Sequence, residues 1–281
     1  MVSPRWPAPA KLNLFLRVTG RRPDGYHELQ TLFQLLDWGD QIAIEITGTP
    51  AIRRTGDDYG VPEDGDLALR AARLLQSAAG VNKGAVIEVE KHIPMGAGLG
   101  GGSSDAATVL AALNYLWGCG LTLDELAALG LALGADVPVF VRGHTALAEG
   151  VGERLQPVSL GPRSYVLVLP GTHIPTREVF SDPDLPRNSP AIDLDAALAG
   201  KGGNDCEAVV RRRYPEMDRA FRALARWGEP RMTGTGSGIF LAMPDHGSAI
   251  SAASEIKSLY NVRAVDGMDR SLLHRRLEGG G

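Results

Sequence analysis

Two cysteines, Cys119 and Cys206, are all that the 281 residues contain. That is too few for a disulfide framework or a cysteine-rich zinc site, so both thiols are expected to be reduced. No apolar run approaches the roughly 18 residues of a membrane span, and residues 1–7 lack the apolar core of a signal peptide. Cytoplasmic residence without a membrane or nucleic-acid partner is the expectation. Positive charge is not in excess: 29 Lys and Arg against 33 Asp and Glu leave a net charge of −4, which argues against a broad nucleic-acid surface. Apolar residues at 44% and charged residues at 22% exclude a disordered chain. At about 150 residues per domain, the length points to two domains.

Glycine, by contrast, is plentiful, and its placement is informative. The stretch Pro94-Met95-Gly96-Ala97-Gly98-Leu99-Gly100-Gly101-Gly102-Ser103-Ser104-Asp105 holds five glycines in seven residues, followed by two hydroxyls. An apolar strand pattern over 85–90 leads into it, and an alanine- and leucine-rich helix expected over 106–116 leads out. Glycines let the backbone take left-handed conformations and let a ligand come close. A helix starting there aims unpaired N–H groups and its positive dipole end into the loop. That is an anion site, with phosphate the usual occupant.

Other readings of the loop fit less well. A glycine–serine stretch can be a flexible linker, but linkers join domains and this one joins a strand to a helix. Gly96, Gly98 and Gly101 also satisfy the G-x-G-x-x-G dinucleotide fingerprint. That fold wants an acidic residue about 20 positions on, at the end of a strand. Asp124 and Glu125 stand at that distance, but at the start of a helical run. A Walker A loop is excluded because no Gly-Lys-Ser/Thr follows.

Hydrophobic patterning predicts strands over 12–18, 29–36, 41–46, 85–90 and 165–169. Asp66 is placed to cap a helix running to about 78, and Thr122 one over 123–133. Residues 149–158 read as polar turn and 175–190 as a proline-rich loop. Two helical stretches, a second glycine cluster, a terminal amphipathic run and a mobile tail (278–281) follow. Strands and helices mix without regular βαβ alternation, which favours an α+β fold. A boundary is expected between residues 1–157 and 158–281.

The central glycine motif resembles that of the GHMP small-molecule kinases. Ala8-Pro9-Ala10-Lys11-Leu12-Asn13-Leu14 before it, and Met232-Thr233-Gly234-Thr235-Gly236-Ser237-Gly238 after it, resemble the family's other two motifs in the expected order. The resemblance spans residues 8 to about 240. It implies a two-domain α+β kinase. The N-terminal domain (1–157) would be ribosomal-protein-S5-like and bind ATP; the C-terminal one (158–281) would be ferredoxin-like and supply part of the substrate site and the second glycine loop. Thr235 and Gly238 depart from the Ser and Cys that many relatives carry, although a hydroxyl is kept at 235. Lys11-Leu12-Asn13-Leu14, Arg22-Pro23-Asp24-Gly25-Tyr26-His27-Glu28, Gly134-Ala135-Asp136-Val137-Pro138-Val139-Phe140 and Ile174-Pro175-Thr176 with Phe180 are similar to one branch of the family. That branch serves the non-mevalonate isoprenoid pathway and phosphorylates the 2-hydroxyl of a cytidine-diphosphate-linked methylerythritol. A mevalonate- or homoserine-type acceptor, a non-catalytic nucleotide-binding protein and a dinucleotide-dependent oxidoreductase are the alternatives.

Asp136 sits between Ala135 and Val137, where a solvated charge is out of place. A turn or helix-terminal aspartate is the plainer reading; the resemblance makes it the catalytic carboxylate and Lys11 its partner. An ammonium beside a carboxylate favours the ionised form, so the pair would position and polarise the alcohol. Asn13, Tyr26, His27, Thr176 and Phe180 resemble substrate-pocket residues, with Tyr26 and Phe180 suited to sandwich a cytosine and a neutral His27 to read its edge. A turn histidine making a local hydrogen bond is the competing reading of His27, and Lys91, just before the loop, is placed either to approach the nucleotide or to stand as a solvated strand-end lysine. The ATP site would comprise Lys91 and Pro94, Met95, Gly96, Ala97, Gly98, Leu99, Gly100, Gly101, Gly102, Ser103 and Ser104. Ser103 and Ser104 can bond phosphate or magnesium, or simply cap the helix. Gly234, Thr235, Gly236, Ser237 and Gly238 would close over the transferring phosphate. Magnesium is expected with ATP, but no acidic metal ligand can be named. A monomer or weak homodimer is expected.

Overall fold

The apolar N-terminal run forms a strand much longer than its buried centre. In the computed structural model, which describes residues 5–279, β1 (Arg5–Arg21) pairs antiparallel with β2 (His27–Thr47) across the Pro-Asp-Gly turn. The two strands expected over 29–36 and 41–46 are one. The polar residues between them stay in register because β1 pairs across them, Ala8 with Asp40 and Pro9 with Gly39. Gly39 is needed there, since a Cβ would lie 2.1 Å from the Ala8 carbonyl oxygen.

The chain continues through β3 (Ile52–Thr55), α1 (Leu67–Ala79), β4 (Gly84–Glu90), α2 (Gly101–Trp117), α3 (Leu123–Leu131), α4 (Val137–Arg142), β5 (Ala146–Gly150) and β6 (Arg154–Pro157). Then come β7 (Arg163–Leu169), α5 (Thr176–Ser181), α6 (Leu194–Leu198), α7 (Glu207–Arg213), α8 (Pro215–Leu224), β8 (Pro230–Met232), β9 (Ile239–Met243), α9 (His246–Ile256), β10 (Asn261–Met268) and α10 (Leu272–Glu278). Among the described residues the strands make one ten-stranded sheet along the path β3-β4-β2-β10-β7-β9-β8, with β1 and β5 on β2 and β6 on β5. Only β3 and β4 run parallel. The mostly antiparallel sheet agrees with the expected α+β class.

Helices α1 and α2 cover β2 and β4, burying Leu69, Leu75, Val109, Leu110 and Leu113 against Ile42, Ile44 and Ile87. A second core gathers Val166, Val168, Ile239 and Leu241 under Phe221, Leu224 and Ile256. Each such side chain contributes about 1.5–3 kcal/mol by leaving water. The seam is the β2–β10 pair, Leu36 opposite Gly267 and Leu35 opposite Met268. After it, α10 returns Leu273 to the first core.

Capping is as expected at two helices. Asp66 accepts from the Ala68 and Leu69 N–H groups, and Thr122 forms a reciprocal capping box with Glu125. Glu125 is therefore occupied as a helix cap at the position where a dinucleotide site would need a ribose ligand. Other boundaries differ. α2 begins at Gly101, five residues before the expected start, because Gly100 turns left-handed as its N-cap and the low-propensity Gly-Gly-Ser-Ser run forms the first turn. α3 stops at Leu131, short of 133. The stretch read as polar turn carries the β5–β6 hairpin, with Glu149 opposite Arg154. The proline-rich loop contains α5. Glu278 closes α10, while Gly280 and Gly281 of the expected mobile tail lie outside the described residues. Among the described residues no helix is long and apolar enough to cross a membrane, and both cysteines are free.

Candidate active site

Lys11 and Asn13 are two apart on β1 and face the same way. Both are buried, Lys11 at 3% exposure. An ammonium so placed needs an acceptor for each of its three protons. It has them: the Asp136 carboxylate at 3.3 Å, the Gly98 carbonyl at 3.0 Å and Asn13 Oδ1 at 2.5 Å. Asp136 stands just ahead of α4 without capping it, and 34% of its side chain remains open to the cleft. The carboxylate expected in an apolar run is thus half-buried, with its charge held by Lys11.

Thr233 ties the three motifs together. Its hydroxyl accepts from the Asn13 N–H at 2.9 Å and donates to the Gly98 carbonyl at 3.1 Å. The second glycine loop also docks on the first, through Ser237 N–H to Gly96 O at 3.2 Å and Gly238 N–H to Ala97 O at 3.0 Å. Asn13 Nδ2 donates to Thr31 Oγ1, which fixes the amide's orientation. Segments more than two hundred residues apart therefore share one hydrogen-bonded knot.

Glycine is required at two points of this knot. Gly98 has φ +70 and a Cβ there would lie 2.3 Å from Thr233 O; Gly100 has φ +73 and its Cβ would press within 2.8 Å of the Phe140 ring. Gly100 offers no side-chain cap to α2, so the helix's first N–H groups face the loop unblocked. Lys11, Asn13, residues 94–103, Asp136, Thr176, Phe180, Gly234 and Thr235 line a cleft of about 570 Å³. Ser104 lies buried behind the cleft wall. The Thr176 and Thr235 hydroxyls, 3.0 Å apart, join the two halves of the rim.

Lys91 also reaches this cleft, but its ammonium is committed to two carboxylates, Asp40 at 2.5 Å and Asp105 at 2.7 Å. It is not a solvated strand-end lysine. Burial acts to lower its pKa, but Asp105 and Asp40 together raise it. Burial pushes the Asp105 carboxyl up to about 7, against the opposing pull of Lys91. Asp40 accepts the His92 and Ile93 N–H groups as well, pinning the approach to the glycine loop. Nearby, Asp66 accepts from Arg54 and from the Tyr59 hydroxyl, and burial raises the Tyr59 phenol. Sequence reasoning missed Asp40, Tyr59 and Thr233. Asp40 fell between the two strands expected there, so nothing local marked it as buried.

The residues expected to take a base are partly rearranged. Phe180 stacks on His27, with ring centroids 5.1 Å apart and planes 26° from parallel. Tyr26 is 64% exposed at the turn and does not face Phe180 in a preformed sandwich. Burial, then Arg187 and Arg21, lower the His27 pKa, so the ring is neutral near pH 7. Among the described residues no cluster of three or more His, Cys, Asp or Glu could hold a metal.

Residues 66–144 match the model of the GHMP kinases N terminal domain. The chain is 54% identical over 270 residues to the 4-diphosphocytidyl-2-C-methyl-D-erythritol kinase of Xanthomonas axonopodis pv. citri, covering 95% of this chain and 92% of the relative. It is 50% identical to the protein of that name from Pseudomonas paraeruginosa, covering 97% and 96%. A crystal structure of 4-(cytidine 5'-diphospho)-2C-methyl-D-erythritol kinase superposes with a TM-score of 0.83 at 37% identity, over 94% of this chain and 99% of that one. A likeness in fold alone is given by the L. major mevalonate kinase, with a TM-score of 0.67 at 13% identity over 96% of this chain and 97% of that one.

Proposed function

The chain belongs to the 4-diphosphocytidyl-2-C-methyl-D-erythritol kinases of the GHMP family, and on that premise we propose how it moves the γ-phosphate of ATP to the 2-hydroxyl of its cytidine-diphosphate-linked acceptor. The observation that carries the mechanism is the buried Lys11 ammonium 3.3 Å from Asp136, at the mouth of the glycine loop. Phosphoryl transfer to an alcohol needs a phosphate cradle, charge stabilisation and a group to orient the hydroxyl. The loop over 94–102 and the start of α2 provide the cradle, with unpaired N–H groups turned toward the phosphates. Lys11 pairs with Asp136 and aims it; Asp136 accepts the hydroxyl proton as the oxygen attacks the γ-phosphorus in line and ADP leaves, without a phosphoenzyme. Gly234 to Gly238 close over the transferring group, with Thr235 supplying a hydroxyl.

Phe180, His27 and Thr176 form the acceptor side, with Tyr26 free to swing onto the base. Lys91 supports the nucleotide site from behind through Asp40 and Asp105. Magnesium enters with ATP. Ser103, an oxygen donor on the cleft wall, would help hold an ion that keeps most of its waters, and the ion would draw charge off the phosphate oxygens. The division into an ATP-binding domain over 1–157 and a second domain over 158–281, the cytoplasmic site of action and a monomeric or weakly dimeric state belong to the same proposal.

Incubation with ATP and 4-diphosphocytidyl-2-C-methyl-D-erythritol, followed by coupled ADP release, tests the reaction. Turnover is expected with that acceptor and not with mevalonate or homoserine. ADP release with mevalonate instead would move the chain to another acceptor class. Near-normal turnover in Asp136→Ala would remove the carboxylate from the mechanism.

A further inference from the structure

Arg187 lies in the segment after α5, outside every motif read from the sequence, yet its guanidinium is fully used. Its five N–H bonds meet five acceptors: Nε donates to His27 Nε2 at 3.4 Å, Nη1 to the carbonyls of Pro183 and Leu185, and Nη2 to those of Phe180 at 3.2 Å and Asp182 at 2.6 Å. The carbonyl contacts wrap the chain that follows Phe180 around one planar group. The remaining bond reaches across to the turn histidine on which Phe180 stacks. One side chain thus reaches both members of the Phe180–His27 pair, the backbone of one and the ring edge of the other.

The Nε contact also has a chemical sign. Arginine only donates, so His27 Nε2 must present its lone pair and the imidazole proton must sit on Nδ1. No acceptor among the described residues engages Nδ1. We propose that Arg187 is a positioning residue for the acceptor's base: it clamps Phe180 against His27 and fixes the His27 tautomer, so that Nδ1–H is offered as the donor to an acceptor atom on the cytosine edge. The charged groups facing the ring act in the same sense, since Arg187 and Arg21 both oppose its protonation, as does burial. Lysine cannot replace the clamp, having three donors on a flexible stem in place of a planar fork. The inference rests on the kinase reading above for the identity of the base.

Two measurements on the full chain test it. Long-range 15N–1H correlation spectra of the ligand-free protein at neutral pH should show His27 protonated at Nδ1 and bare at Nε2; a proton on Nε2 overturns the proposal, whatever the variants do. In steady-state assays, Arg187→Lys and Arg187→Met should each raise the KM for the cytidyl substrate about tenfold, the worth of one or two lost hydrogen bonds. The KM for ATP should hold and kcat should fall much less than KM rises. The His27 titration in Arg187→Met should move up. Unchanged acceptor KM in Arg187→Met, or equal losses for ATP and acceptor, would overturn the positioning role. Failure of the wild-type chain to turn over the cytidyl substrate would instead strike the kinase reading, and the tautomer measurement would still judge the clamp.

Discussion

Asp136→Asn keeps the shape of the carboxylate proposed to accept the hydroxyl proton and removes its charge, leaving the buried Lys11 ammonium with neutral acceptors only. The variant is expected to lose about 10²–10⁴ in kcat, the usual worth of a positioned acid–base group, with the KM for ATP little changed. Stopped assays at saturating ATP measure it. Thr233→Val is a different kind of test, because this buried hydroxyl serves Asn13 N–H and Gly98 O at once. A methyl group leaves the Asn13 N–H unsatisfied and takes one of two donors from the Gly98 carbonyl, Lys11 remaining as the other, and urea denaturation should report a loss of about 1–3 kcal/mol. Asp136 drew notice in the sequence as a charge among apolar neighbours, but its pairing with Lys11 was legible only through the family resemblance. Thr233 was not, since a threonine beside glycines reads as a turn until its two distant partners are in place.

At the scale of elements, the strand–loop–helix unit was legible and its limits were not. Gly98→Ala meets both a left-handed φ and a backbone oxygen 2.3 Å from the new Cβ. It is expected to cost about 2 kcal/mol or more and to weaken ATP binding, read by thermal unfolding and by calorimetric titration. The unit is anchored from β4 by Lys91 between Asp40 and Asp105. Lys91→Met would strand two buried carboxylates, and a loss of about 3–5 kcal/mol in urea is expected. Periodicity located the strand before the loop because alternation is a local signal. It misplaced the start of α2 because Gly101 to Ser104 have little helical preference of their own; the left-handed turn at Gly100 and the packing of α2 hold them. The fusion of two expected strands into β2 likewise depends on β1 lying alongside.

At the scale of the molecule, the C-terminus closes the fold. His274 on α10 is buried, and its Nε2–H donates to the Val141 carbonyl at 2.8 Å, while Gly143 leaves room for the ring. Burial lowers its pKa below 6.5, as it does for His27. The unfolded chain therefore takes up these protons first, and stability present above the unfolded value is lost as pH falls through it. The melting temperature should drop between about pH 7 and pH 5, and the drop should shrink in His274→Gln. By itself the sequence determined the strand–glycine loop–helix unit, the helix caps at Asp66 and Thr122, and the α+β class, whereas the Lys11–Asp136 pair came only with the family resemblance. The unit and the caps rest on residues near in sequence. Only the tertiary structure decided that Thr233 joins three motifs, that Lys91 serves two carboxylates, that Phe180 rests on His27 and that Arg187 holds them. Those contacts link residues far apart along the chain, and their chemistry exists only once the sheet has brought them within hydrogen-bond reach.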